Sequence, residues 1–197
     1  MGIFITMEGP DGAGKSTQID LLRVYLLQKG YDIIVCREPG GTVISEAIRE
    51  VILNRDYKNM GHIEEVIQPA LDQGKVVICD RFIESSAVYQ GIARGLGVDL
   101  VYEVNRFAVG NTMPDITLLL DVDAETGIGR KKQQAELDRM ESEKLEFHRK
   151  VVEGYRLLAE RDKNRMVKID GRNSIEEIHR QIKVAVDDAL TRETKQT

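Results

Sequence analysis

Gly9, Gly14, Lys15 and Ser16 hold the fixed positions of a G-x-x-x-x-G-K-[ST] pattern inside MEGPDGAGKSTQ, Met7 to Gln18. Together with Gly12, these glycines tolerate backbone angles that turn N–H groups inward, so the loop can cradle phosphate oxygens. The helical pattern opening near Lys15 adds the positive end of its dipole. Lys15 can reach the β- and γ-phosphates of a nucleoside triphosphate. The Ser16 hydroxyl can ligate Mg²⁺, with waters filling the other positions. An apolar strand pattern before the loop and an amphipathic helix after it separate a phosphate loop from a chance glycine turn.

Two further loops carry groups that suit a second anion. Asp80 and Arg81 follow the apolar run KVVIC, which puts Asp80 where a metal-organising aspartate would sit and a forked cation beside it. Arg37, after an earlier apolar run, and Arg49, on the next helical pattern, either add to that pocket or pair with Glu38 and Glu46 at the surface. A GTPase needs an N-K-x-D loop to read guanine, and the sequence has none. That favours a kinase. The run Gly127 to Arg139 carries Arg130, Lys131, Lys132 and Arg139. It reads either as a lid closing cations over a transferred phosphoryl group or as a solvated helix face.

These loops need a scaffold. GIFITME, YDIIVCRE, GKVVICDR, DITLLLDVD and RMVKID read as buried strands. Helical patterns lie between and after them over Lys15–Gln28, Val43–Leu53, Ile63–Gln73, Glu84–Ala93, Asp99–Val109, Asp138–Arg161 and Ser174–Leu190. Asp99 and Ser174 are candidate N-caps, and Ser174 with Glu177 fits a capping box. Alternation of strand and helix predicts an α/β domain, a parallel sheet with helices on both faces. In such sheets ligands gather at the carboxyl ends of the strands, where Glu8, Asp11, Lys15, Arg37, Glu38, Asp80 and Arg81 all fall.

The chain has 197 residues, 42% hydrophobic and 31% charged, with a net charge of −5. One domain over 1–197 accommodates this, with the lid at about 125–142. The acidic balance argues against a nucleic-acid polymer as partner, though not against a small anion held by local cations. Cys36 and Cys79 lie in apolar runs and read as buried structural thiols, with neither a disulfide framework nor a metal cluster. No signal-peptide or membrane-spanning pattern is present, so a reducing cytoplasm is the expected location.

The segments MEGPDGAGKST, REPGGT, DRFIESSAVYQGIARGLG, MPDITLLLDVD and ELDRMESEKLEFH resemble bacterial thymidylate kinases, in order and over almost the whole chain. The resemblance implies a P-loop kinase fold around a central sheet of about five parallel strands. It implies transfer of the ATP γ-phosphate to dTMP with Mg²⁺, and a homodimer. The ATP-binding set is then Gly9, Pro10, Asp11, Gly12, Ala13, Gly14, Lys15, Ser16 and Thr17, with the segment around Asp170 and Gly171 cupping adenine. Asp11 approaches the sugar 3′-hydroxyl of the acceptor, and Arg81 holds the dTMP phosphate. Arg37 and Arg49 stand as further acceptor cations, and Glu38 lies close to the metal and phosphates. Ser85, Ser86 and Gln90 face the thymine edge and Tyr89 lies under the sugar. From the residues alone, Ser85 and Ser86 could equally cap a helix and Tyr89 pack in the core. Lys15, Asp80, Arg130 and Arg139 are the expected catalytic groups, with Ser16 and Asp80 at the metal.

The chain departs from the family twice. Relatives carry a helical segment between the positions of Met60 and His62, with an aromatic for thymine and an arginine for the acceptor phosphate. Here NMGHIEEV runs straight across it. Either the protein lacks that segment or this chain is short of it. The lid has Arg130 followed by lysines and glutamines where relatives with a neutral loop carry several arginines, and lysine lacks the bidentate fork. Two other readings therefore stay open: a kinase for another nucleotide or nucleoside, and a nucleotide-binding protein with impaired turnover.

Overall fold

In the computed structural model residues 2–37, 62–110, 112–132 and 143–196 are described. All five apolar runs are strands: β1 (Ile3–Glu8), β2 (Ile33–Arg37), β3 (Val76–Asp80), β4 (Ile116–Asp121) and β5 (Met166–Asp170). They form one sheet in the order β2-β3-β1-β4-β5, with every neighbouring pair parallel. β1, β3 and the first five residues of β4 are buried, as parallel strands covered on both faces must be. The helices among the described residues are α1 (Lys15–Gln28), α2 (His62–Asp72), α3 (Ile83–Ser86), α4 (Val98–Val109), α5 (Ala124–Lys132), α6 (Leu145–Arg161) and α7 (Ile175–Gln196). A π-helical run, Ala87–Ala93, continues α3.

The two-residue period of a strand sends Ile3, Ile5 and Met7 to one face of β1 and Phe4, Thr6 and Glu8 to the other. On the first face Ile19, Leu22 and Leu26 of α1 and Ile178, Ile182 and Val186 of α7 pack against Ile5, Ile78 and Leu118. On the second, Val88 of the π-helical run, Val101 of α4 and Val151, Tyr155 and Leu158 of α6 pack against Leu119. Phe4 meets Phe82 edge-on there, with ring centroids 5.0 Å apart. The alternation therefore decides which face each strand-end carboxylate serves. Asp80, in phase with Val76 and Ile78, belongs to the α1 face; Glu8, in phase with Phe4, belongs to the α6 face.

Three helix boundaries differ from expectation. α4 starts after Gly97, whose φ of 92° suits glycine, so Asp99 sits in the first turn and favours the dipole without capping. The 138–161 pattern does not run unbroken: Lys144 is extended and α6 begins at Leu145. The 84–93 pattern turns from α to π geometry at Ala87, a change that apolar spacing does not register. The capping role of Ser174 is as expected, its Oγ accepting from Glu177 N at 3.2 Å. Cys79 is buried and Cys36 half-buried. They are register partners on β3 and β2, and neither forms a disulfide.

Beneath the π-helical run lies a buried ion pair. Glu84 has no exposed surface, and Arg165 Nη2 donates to it at 2.6 Å, while Nη1 donates to Thr117 and Nε to Asp162. Removing Arg165 strands a buried charge, which typically costs about 3–5 kcal/mol. Arg165→Ala should lower unfolding free energy by about that amount in denaturant titration. A loss under about 1 kcal/mol would contradict the assignment of Arg165 as the counter-charge of Glu84.

Candidate active site

β1 is the central strand, and the chain leaves its carboxyl end directly into the glycine loop. Gly14, at φ 93°, is the N-cap of α1. Gly12, at φ 75°, lies against Gly127 of α5 so closely that a side chain on either would strike backbone. A Cβ on Gly127 would stand 2.5 Å from the carbonyl oxygen of Asp11. Helix α5 is thus seated on the phosphate loop, glycine against glycine. Its Arg130 and Lys131 border a cavity of about 400 Å³, which the loop, Asp80, Arg81 and Gly171 also line. Arg130 Nη1 donates to the Gly171 carbonyl at 2.9 Å, joining α5 to the turn after β5.

Lys15 is buried in this cavity wall, and its ammonium donates to the carbonyls of Gly9 and Pro10 at 2.9 and 3.0 Å. Burial, and then the nearby Arg81 cation, push its pKa down to about 7; Asp11 and Asp80 oppose that. An arriving anion would restore its charge. Asp80 ends β3. Its Oδ2 lies 3.6 Å from Nε of the largely exposed Arg37, and its buried Oδ1 has no hydrogen-bond partner. Ser16 lines the same cavity. An orphaned carboxylate oxygen beside a hydroxyl and a phosphate cradle fits a largely hydrated Mg²⁺, which takes few protein ligands. Among the described residues no group of three or more His, Cys, Asp or Glu could hold a metal by itself.

Arg81 adopts φ 70°, a left-handed conformation that costs a non-glycine residue about 1–3 kcal/mol. Its N–H donates to the Met7 carbonyl at 3.1 Å. The turn points its guanidinium back over the end of β1, where Nη2 donates to Asp11 Oδ1 at 2.5 Å. Burial would raise the Asp11 carboxyl, but Arg81 and then Lys15 override it and hold it below the usual range. Tyr89 Oη donates to the other oxygen of Asp11 at 3.0 Å, and its ring faces the guanidinium at 5.2 Å.

The structure brings Asp11, Lys15, Ser16, Arg37, Asp80, Arg81 and Arg130 to one cavity, along with Gly12, Ala13, Gly14 and Thr17. Other expected residues are placed differently. Ser85 lies beneath Arg81, buried, with its hydroxyl on Glu8, so it presents no free edge there. Ser86 and Gln90 are buried in the first turns after β3. The Asp170 carboxylate is turned onto Arg172, which holds its pKa at about 2, and Gly171 rather than Asp170 borders the cavity. Glu38, Arg49, Arg139, the 43–53 helical pattern, the Met60–His62 join and the distal lid lie outside the described residues. Sequence reasoning misses Tyr155 altogether. Its hydroxyl joins Arg81, Ser85 and Glu8, but in sequence it is one more apolar-phase position of a helix.

A glycine loop on the central strand of a parallel sheet, faced across one cavity by an arginine from the neighbouring strand, is the layout of a P-loop phosphotransferase with two anionic substrates. Similarity to known proteins narrows this. A family model described as thymidylate kinase matches residues 7–182. The chain is 45% identical to a thymidylate kinase of Geobacillus thermodenitrificans, covering 90% of this chain and 86% of that protein. It is 44% identical to one of Clostridium novyi, covering 92% and 97%. A solved thymidylate kinase from Ehrlichia chaffeensis superposes with a TM-score of 0.68 at 30% identity, covering 94% of this chain and 98% of that one. The chain belongs to the thymidylate kinase family. Neither alternative reading is favoured by these relatives.

The seating of α5 on the loop generates a test. Gly127→Ala should weaken ATP binding about tenfold or more, because its Cβ must displace the backbone of Asp11. Gly129→Ala, two residues on and with open space around it, should leave affinity unchanged. Equal affinities for the two variants by calorimetric titration would contradict the close seating.

Proposed function

We propose that the protein transfers the γ-phosphoryl group of ATP to dTMP, giving dTDP, with the donor held by the glycine loop and the acceptor phosphate by Arg81. One observation carries this reading: Arg81 and the loop share a single cavity, and the guanidinium bonds the loop's own Asp11. Loop N–H groups and Lys15 hold the donor phosphates. Arg81 fixes the acceptor phosphate, whose oxygen is already a nucleophile, so no strong general base is needed. Asp11, held ionised beside Arg81 and braced by Tyr89, would receive the acceptor's sugar hydroxyl. Ser16 and Asp80 would hold Mg²⁺, which when bound neutralises charge on the phosphates. Arg130 and Lys131, on the cavity wall, would supply cations to the transferred group, and with Arg139 they would form the lid expected at about 125–142.

The substrates imply a cytoplasmic location; no described helix is long and apolar enough to cross a membrane. We also infer a homodimer, as the family resemblance implies; a largely apolar hollow beside α4, lined by Ile83, Tyr102, Val109 and Met113 with Arg106 at its side, is a candidate surface for it. Sedimentation at micromolar concentration should give twice the mass of one chain; a single-chain mass would contradict the dimer.

Phosphoryl transfer from ATP to dTMP, dUMP, dCMP and UMP tests the specificity, with dTMP expected to be preferred. Arg81→Ala should raise the KM for dTMP by about 10²-fold while the ATP KM changes little, since deleting one partner of a charge-assisted hydrogen bond costs several kcal/mol. Equal effects on both KM values would remove Arg81 from the acceptor site.

A further inference from the structure

Two polar side chains beneath Arg81 have no part in the reading above: Glu8 and Tyr155. Glu8 closes β1 on the α6 face and has no exposed surface. Its carboxylate takes three hydrogen bonds. Phe82 N donates to Oε1 at 2.7 Å, and the Ser85 and Tyr155 hydroxyls approach Oε2 at 2.6 and 3.0 Å. Burial and then Glu84 push the Glu8 carboxyl up to about 7, against which Ser85, Arg81 and Phe82 favour the charged form. In that form the carboxylate only accepts, so it draws hydroxyl protons inward and leaves oxygen lone pairs facing Arg81. Arg81 Nη1 meets both oxygens, each at 3.1 Å. The two hydroxyl oxygens are themselves 2.8 Å apart, which makes a closed patch under one edge of the guanidinium. The other edge, Nη2, bonds Asp11 at 2.5 Å and approaches Tyr89 Oη at 3.5 Å.

Arg81 has a strained backbone and a long side chain with several rotamers, and an apolar floor would not choose among them. The hydroxyl pair does, because only acceptors satisfy Nη1. Tyr155 comes from α6, 74 residues along the chain, and ties the arginine to a helix outside the phosphate loop. Gly154 beside it lets α6 approach the π-helical run, where a Cβ would stand 3.1 Å from Val88 and Ile92.

We propose that Glu8 and Tyr155 are positioning residues: acting with Ser85, they fix the guanidinium of Arg81 in the orientation that receives the acceptor phosphate. This rests on the reading that Arg81 binds that phosphate.

The test is kinetic, on the full chain, with Tyr155→Phe, Glu8→Gln, Arg81→Ala and the double variant Tyr155→Phe/Arg81→Ala. Tyr155→Phe keeps the ring and removes only the hydroxyl. It should raise the dTMP KM about tenfold and leave the ATP KM within about twofold. Glu8→Gln, which gives the hydroxyls an amide donor to avoid, should move the same parameter in the same direction. The double variant should have the dTMP KM of Arg81→Ala alone, because the hydroxyl acts only through the arginine. If Glu8→Gln fails to fold, Tyr155→Phe and the double variant decide. An unchanged dTMP KM in Tyr155→Phe, equal rises in both KM values, or additive effects in the double variant would overturn the proposal. If Arg81→Ala itself leaves the dTMP KM unchanged, the acceptor reading falls, and the proposal with it.

Discussion

The contact on which the site depends is the one between the Arg81 guanidinium and the Asp11 carboxylate, at the carboxyl end of the central strand. Both groups are largely buried, so their attraction is poorly screened and their geometry is held from all sides. Asp11 comes from the glycine loop, and Arg81 from the turn after β3. Under the proposed function their union would set how far apart the two phosphates are held. It also explains the left-handed backbone at Arg81, since the strain there turns a cation back towards β1 when an extended continuation would carry it away.

Strand alternation makes that union possible. One face of the sheet supports α1 and α7, and behind them Asp80 and the phosphate loop. The other face supports α6 and the π-helical run, and behind them Glu8, Ser85 and Tyr155. Arg81 stands at the boundary between the two faces. A one-residue slip in β1 or β3 would exchange Asp80 and Glu8 for apolar neighbours and leave charges in the core. The buried strands are thus both the stability and the alignment of the site. The glycine contact between Gly12 and Gly127 extends the alignment to α5, which carries Arg130 and Lys131.

Much of this is legible in the residues. Each of the five apolar runs is a strand, but only β1, β3 and most of β4 are buried; β2 and β5, at the sheet edges, keep exposed and half-buried residues that the apolar pattern does not distinguish. The glycine loop is legible because phosphate binding by backbone N–H groups admits few sequences. What escapes is whatever a period cannot encode. The π geometry after Ala87 preserves an apolar pattern that also fits an α-helix. The positive φ at Arg81 falls on a residue type that seldom adopts it. Tyr155 looks like core packing in sequence, and its ring is packed in the core; only its hydroxyl has a second task, and that depends on a strand end 147 residues away. The motif around Ser85 suggests a residue that faces a base, whereas burial commits its hydroxyl to Glu8.

A crystal structure with dTMP and a non-hydrolysable ATP analogue bound together would decide the matter. It should show the triphosphate in the glycine loop, the acceptor phosphate on the guanidinium of Arg81, and Nη1 of that arginine still resting on the hydroxyls of Ser85 and Tyr155. An acceptor phosphate bound elsewhere, with Arg81 turned out of the cavity, would contradict that placement.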